Sequence, residues 1–204
     1  MEKIELKPAS VFHYFAEICQ VPRPSKKEEK IIAYLMDFAQ KQGLEAKKDE
    51  AGNILIKKPA TPGKENLKTV ILQSHIDMVC EKNSDSTHDF LNDPIETYVD
   101  GEWLKAKGTT LGADNGIGMA AQLAVLAADD IEHGPIECLF TVDEETGLTG
   151  AFALKEGFMD GDILINLDSE DEGELFIGCA GGANTTAEFA YTEIDAPQDY
   201  FFFN

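Results

Sequence analysis

Ile136-Glu137-Cys138-Leu139-Phe140-Thr141-Val142 runs directly into Asp143-Glu144-Glu145. A short apolar run bounded by charge reads as a core strand, too brief for a buried helix. Two other stretches have the same form. Val70-Ile71-Leu72 stops at Gln73-Ser74-His75, and the run from Ile163 to Leu167 stops at Asp168. Each of these three strands ends in a side chain able to bind a metal. In α/β sheets, ligands collect beyond the carboxyl ends of strands, so the fold and the candidate site emerge from one pattern.

Helical periodicity fills the space between the strands. Val11, Phe12, Phe15 and Ile18 predict a helix from Ala9 to Gln20, ended by Val21-Pro22-Arg23-Pro24-Ser25. Ser25 and Glu28 have capping-box spacing for a second helix, with Ile31, Ile32, Leu35, Phe38 and Ala39 inward and Gly43 as its stop. Gly116 to Ala128 is apolar nearly all round, which predicts a buried helix. Thr149 to Phe158 reads as another helix. Shorter strands are expected at Asn53–Lys57, Glu102–Ala106 and Leu175–Ile177, before a break at Gly181-Gly182. From Ala183 the residues Thr185, Ala187, Phe189 and Tyr191 alternate as in a strand, and the sequence closes on Phe201-Phe202-Phe203-Asn204. Alternating helices and strands indicate an α/β layered domain.

The chain has 204 residues, with 38 Asp and Glu against 17 Lys and Arg and a formal net charge of -21. That balance argues against nucleic acid, whose phosphates require clustered cations, and against an anionic membrane surface. It suits cations or substrates with a free amine; taken alone, it better suits a protein merely kept soluble by charge. The first residues lack the apolar core of a signal peptide, and no stretch approaches the roughly 20 apolar residues of a membrane span. Cys19, Cys80, Cys138 and Cys179 are scattered without a C-x-x-C pair. They read as reduced thiols, which implies the cytoplasm.

Chemistry concentrates in His75, Asp114, Glu144, Glu145 and Asp168. Each has an ordinary reading: a structural His, a helix N-cap at Asp114, a solvated charge run, a turn cap. A phosphate loop at Gly112–Gly118 is discounted, because Lys-Ser/Thr and a fitting G-x-G-x-x-G are absent. Together these residues suit two metal ions. Ions roughly 3.5–4 Å apart need a bridging carboxylate, further His or carboxylate donors, and a position left for water. A separate carboxylate must take the proton of that water. Adjacent Glu144 and Glu145 can divide the roles of base and ligand, and Asp77 can orient the His75 imidazole from behind.

Ser74-His75-Ile76-Asp77-Met78-Val79, Thr109 to Gly118, Asp143-Glu144-Glu145-Thr146-Gly147 and Asn166-Leu167-Asp168-Ser169-Glu170 resemble the zinc exopeptidase family of aminoacylases, carboxypeptidases and dipeptidases. The likeness is nearest to its Xaa-His dipeptidases. It extends over essentially the whole chain, including the run from Leu175 to Gly182. The resemblance implies a three-layer catalytic domain on a central mixed sheet. It implies that His75 and Asp168 bind one Zn2+, that Asp114 bridges, that Glu145 binds the second, and that Glu144 is the general base, with Co2+ or Mn2+ as substitutes. It also implies a cis peptide between Asp114 and Asn115. The family's second metal takes a further His from late in a longer chain, and a lid domain carries the dimer contact.

These residues are accordingly expected to be the N-terminal part of such an enzyme. Residues 1–182 would be catalytic domain, 183–204 the first strand of a lid, and the partner a short peptide. Two equal zinc sites are not expected, because the Glu145 site lacks its His. The rival readings are a tripeptidase, nonspecific dipeptidase or deacylase of the same family, and an acidic metal-binding module without catalysis. Mere cation storage would not need a base beside a ligand.

Overall fold

The computed structural model describes residues 6–169, 171, 173–179, 181–183 and 185–192. The chain divides into two units, residues 1–170 and 171–204. In the first, α1 (Ala9–Ile18) and α2 (Glu29–Gln42) precede β1 (Glu45–Lys48), β2 (Ile54–Lys58) and β3 (Val70–His75). A hairpin follows, β4 (Thr97–Asp100) with β5 (Trp103–Ala106), and then α3 (Ala113–Ala127), β6 (Ile136–Thr141), α4 (Thr149–Ala153) and β7 (Ile163–Asn166).

Five strands form an open mixed sheet in the order β1-β2-β6-β3-β7. β1–β2 and β2–β6 are antiparallel, whereas β6, β3 and β7 run parallel. Strand alternation sorts the core by face. Ile54, Ile56, Cys138 and Phe140 join the main cluster with Phe15 and Ile18 of α1, Leu35 and Phe38 of α2, and Met119 and Leu123 of α3. Leu55, Ile71 and Leu139 form a smaller cluster, covered by Leu154, Phe158 and Met159. Gln122 of the nearly all-apolar α3 is buried against the sheet: its amide donates to the carbonyls of Leu72 and Leu139, at 2.7 and 3.1 Å.

Several sequence expectations require correction. Ser25 does not cap α2. The cap residue is Glu28, without a side-chain capping bond, because Ser25 and Glu28 both spend their oxygens on the site described below. The helix predicted over Thr149–Phe158 ends at Ala153, where Leu154 turns to extended backbone. Gly43 does end α2, at φ 67°. In the second unit, Leu175–Ile177 and the described residues after Ala183 form no strand. Leu175 and Ile177 are almost wholly exposed. The final aromatic run lies outside the described residues.

Candidate metal centre

Parallel pairing sets the site. The register of β3 with β6 places His75 opposite Thr141, and that with β7 places Gln73 opposite Asn166. The next residues of β6 and β7 therefore leave the sheet at the edge where His75 ends β3. His75 is buried, and its Nε2 lies 2.9 Å from Asp114 Oδ1, 3.8 Å from Asp168 Oδ2 and 4.0 Å from Glu144 Oε2. Donor atoms of His75, Asp114 and Asp168 lie within 4.8 Å of one another, as do those of His75, Glu144 and Glu145. All five sequence candidates are thus brought to one place.

Asp77 is also there, on the other side of the imidazole. Its Oδ1 lies 3.2 Å from His75 Nδ1 and accepts the backbone N–H of Glu144 at 3.0 Å. Its Oδ2 accepts the N–H of Glu145 at 3.2 Å and the Ser25 hydroxyl at 2.7 Å. One buried carboxylate therefore holds both the imidazole and the backbone under the Glu pair.

Asp114 is no helix cap. Gly112 occupies that position at φ 70°, Asp114 and Asn115 have non-helical backbone, and regular helix begins at Gly116. The peptide between Asp114 and Asn115 is cis, as the resemblance implied.

The electrostatics favour a bound cation. Burial opposes charge on His75, but hydrogen bonds to Asp77 and Asp114 and the charges of Asp77 and Asp168 outweigh it and raise its pKa to about 9. Burial, together with neighbouring carboxylates, raises Glu144, Glu145 and Asp168. Asp77 goes the other way. Burial would raise it, but His75, the Glu144 N–H and the Ser25 hydroxyl hold it near 2. Among the described residues, Asp114, Glu144, Glu145 and Asp168 have no Lys or Arg ion-pair partner. Four crowded carboxylates and one imidazole form a donor set that suits a divalent ion.

The profile of peptidase family M20/M25/M40 matches residues 71–198. The chain belongs to this family. It is 54% identical over 186 residues to the cytosol non-specific dipeptidase of Escherichia coli (strain K12), an alignment covering 91% of this chain and 38% of the relative. A crystal structure of aminoacylhistidine dipeptidase from Vibrio alginolyticus matches with a TM-score of 0.81 and 60% identity, over 82% of this chain and 34% of that one. A tripeptidase structure from Staphylococcus aureus matches at TM-score 0.68 and 26% identity, over 82% and 45%. The chain therefore spans between about a third and a half of the length of these M20/M25/M40 relatives.

Sequence reading missed three residues around this site in the M20/M25/M40 chain. Arg23, Ser25 and Glu28 all contact the loops that carry the candidates. A charged Arg between two prolines was the available signal for Arg23. Ser25 and Glu28 were visible, but their spacing matched a helix cap.

Proposed function

We propose that this chain is the metal-binding part of a dipeptidase that cleaves short peptides with metal-activated water. The observation that carries the reading is the meeting of His75, Asp114, Glu144, Glu145 and Asp168 at the ends of three parallel strands. His75, Asp114 and Asp168 would hold one Zn2+, and Asp114 with Glu145 a second; Co2+ or Mn2+ suits the same donors. Bound there, the metal supplies an acidified water and polarises the scissile carbonyl. Glu144 is the general base. Burial and its carboxylate neighbours raise its proton affinity, toward the range that suits proton transfer near neutral pH. Asp77 fixes the imidazole so that Nε2 faces the carboxylates.

Dipeptides with C-terminal His are the proposed substrates, supported by the similarity to the Vibrio enzyme. The similarity to the E. coli enzyme supports the second reading, a broader dipeptidase. Residues 1–182 are assigned to the catalytic domain and 183–204 to the start of a lid through which the whole enzyme dimerises. The cytosol in the E. coli relative's name supports a cytoplasmic location.

Two measurements test the proposal. Zinc titration by calorimetry should give one tight site per chain, from His75, Asp114 and Asp168. A chimera extending these 204 residues with the C-terminal part of the E. coli dipeptidase should hydrolyse dipeptides, and a panel varying the second residue ranks His against the rest. A folded chain that binds no zinc, or a folded, zinc-loaded chimera that cleaves no dipeptide, would sink the proposal.

A further inference from the structure

The connection between α1 and α2 touches the loop after His75, the loop before Asp114 and the loop that carries Glu144 and Glu145. Arg23 is buried, at 3% exposure. Its Nη1 donates to the carbonyls of Ile76 and Asp77, at 3.1 and 2.7 Å, and its Nη2 donates to the carbonyl of Gly112. One guanidinium thus joins the loop after His75 to the loop before Asp114. Pro24 makes a bridge to Met78. Ser25 donates to Asp77 Oδ2. Glu28 Oε1 accepts the N–H of Asp143, at 3.1 Å, immediately before Glu144.

The glycines around Asp114 are shaped to this arginine. A Cβ at Gly112 would lie 2.5 Å from Arg23 Nη2, and one at Gly116 2.7 Å from it. Both positions must stay bare for the guanidinium to sit between the loops. Arg23 has no direct carboxylate partner among the described residues. Burial lowers its pKa to about 10, so it stays charged at neutral pH. A buried cation satisfied by carbonyls alone is costly as a packing device. A planar fork can span two strands of backbone, which an ammonium cannot.

We propose that Arg23–Glu28 is a positioning segment for the metal centre, with Arg23 locking the His75–Asp77 loop against the Gly112–Asp114 loop. Ser25 and Glu28 extend the same template to the Glu144–Glu145 backbone. The inference rests on the proposed metal-binding function.

The test compares the chain with its Arg23→Lys, Ser25→Ala and Glu28→Gln variants. Zinc affinity is read by competition with a chromogenic chelator, the visible spectrum is read with Co2+ bound, and metal-free melting is followed in parallel. Groups that orient metal ligands typically contribute about 10–100-fold to affinity. Arg23→Lys should weaken zinc by that amount and shift the cobalt bands. Ser25→Ala, a smaller change, should weaken zinc several-fold with little change in melting. Zinc affinities within twofold of the parent and an unchanged cobalt spectrum in folded Arg23→Lys and Ser25→Ala proteins overturn the proposal. If Arg23→Lys fails to fold, Ser25→Ala and Glu28→Gln decide it by the same two readouts. A parent chain that binds neither metal overturns the proposed function and this inference with it; a parent that binds while the variants match it overturns this inference alone.

Discussion

The carboxylate of Asp77 accepts the backbone N–H of Glu144 at 3.0 Å, across 67 residues of sequence. The same carboxylate faces His75 Nδ1, so the end of β3 and the start of the Glu pair share one anchor. Asp77→Asn would turn an amide NH2 toward groups that are themselves donors. We expect a loss of about 2–3 kcal/mol in stability, the usual cost of unmatched buried polar groups, and zinc affinity reduced by roughly 10–100-fold. Denaturant melts and chelator competition measure the two effects. Equal stability of variant and parent at neutral pH would contradict the role.

Acid should dissolve this advantage. Asp77 is held near 2 in the folded chain, below the ordinary Asp value of about 3.9. A depressed carboxylate contributes stability above its unfolded pKa, and that contribution fades as pH falls through the folded one. The stability gap between parent and Asp77→Asn should therefore shrink between about pH 4 and pH 2. Melts at stepped pH would show it, and a gap that widens in acid would reverse the sign.

His75 has the opposite linkage. Its folded pKa, about 9 without metal, lies above the ordinary His value of about 6.5. Its contribution to metal-free stability is full below that value and disappears as pH rises through 9. Metal competes with the proton for the same nitrogen. Zinc affinity should accordingly climb with pH toward 9, and His75→Ala should abolish most of that slope. A pH-independent affinity would contradict the assignment of His75 as ligand.

Glu144→Gln separates base from ligand. In the chimera, dipeptide hydrolysis should fall by about 10²–10⁴-fold, the usual contribution of a positioned base, while zinc stoichiometry is retained. Loss of metal with loss of activity would instead make Glu144 a ligand.

Gly150→Ala tests the frame behind the site. A Cβ there would lie 2.4 Å from the Val142 carbonyl oxygen and 2.5 Å from Asn53 Oδ1. Asn53 spans that gap, donating to the Gly150 carbonyl at 2.8 Å and accepting from Val142 N–H at 3.1 Å. Overpacking of this kind costs about 1–3 kcal/mol, or roughly 2–12 °C in melting temperature for a domain of this size. A melting temperature unchanged from the parent would show that the contact yields.

The core strands and the candidates at their ends, His75, Glu144, Glu145 and Asp168, were legible because apolar runs and the polar residues that close them are both written locally. β1 was not, since Glu45-Ala46-Lys47-Lys48 has no hydrophobic alternation and is a strand only because β2 pairs with it. β4 was missed because Thr97–Asp100 is exposed throughout and owes its form to β5. The role of Arg23 was out of reach for a related reason. Its partners are carbonyls of Ile76, Asp77 and Gly112, and a carbonyl has no signature in sequence. Ser25 and Glu28 show a local rule overridden, with a capping pattern diverted to tertiary contacts.

The parallel registers also bear on how the molecule assembles. Val70 pairs with Ile136 and again with Ile163, so neither contact that frames the site forms without closing a long loop. Such nonlocal pairing is slow relative to helix formation. No short stretch of the chain can gather the imidazole and its carboxylates ahead of the sheet. During refolding, the ability to capture a cobalt ion should therefore arrive after the helical signal and together with the last strand. Metal uptake would then be a clock for completion of the fold.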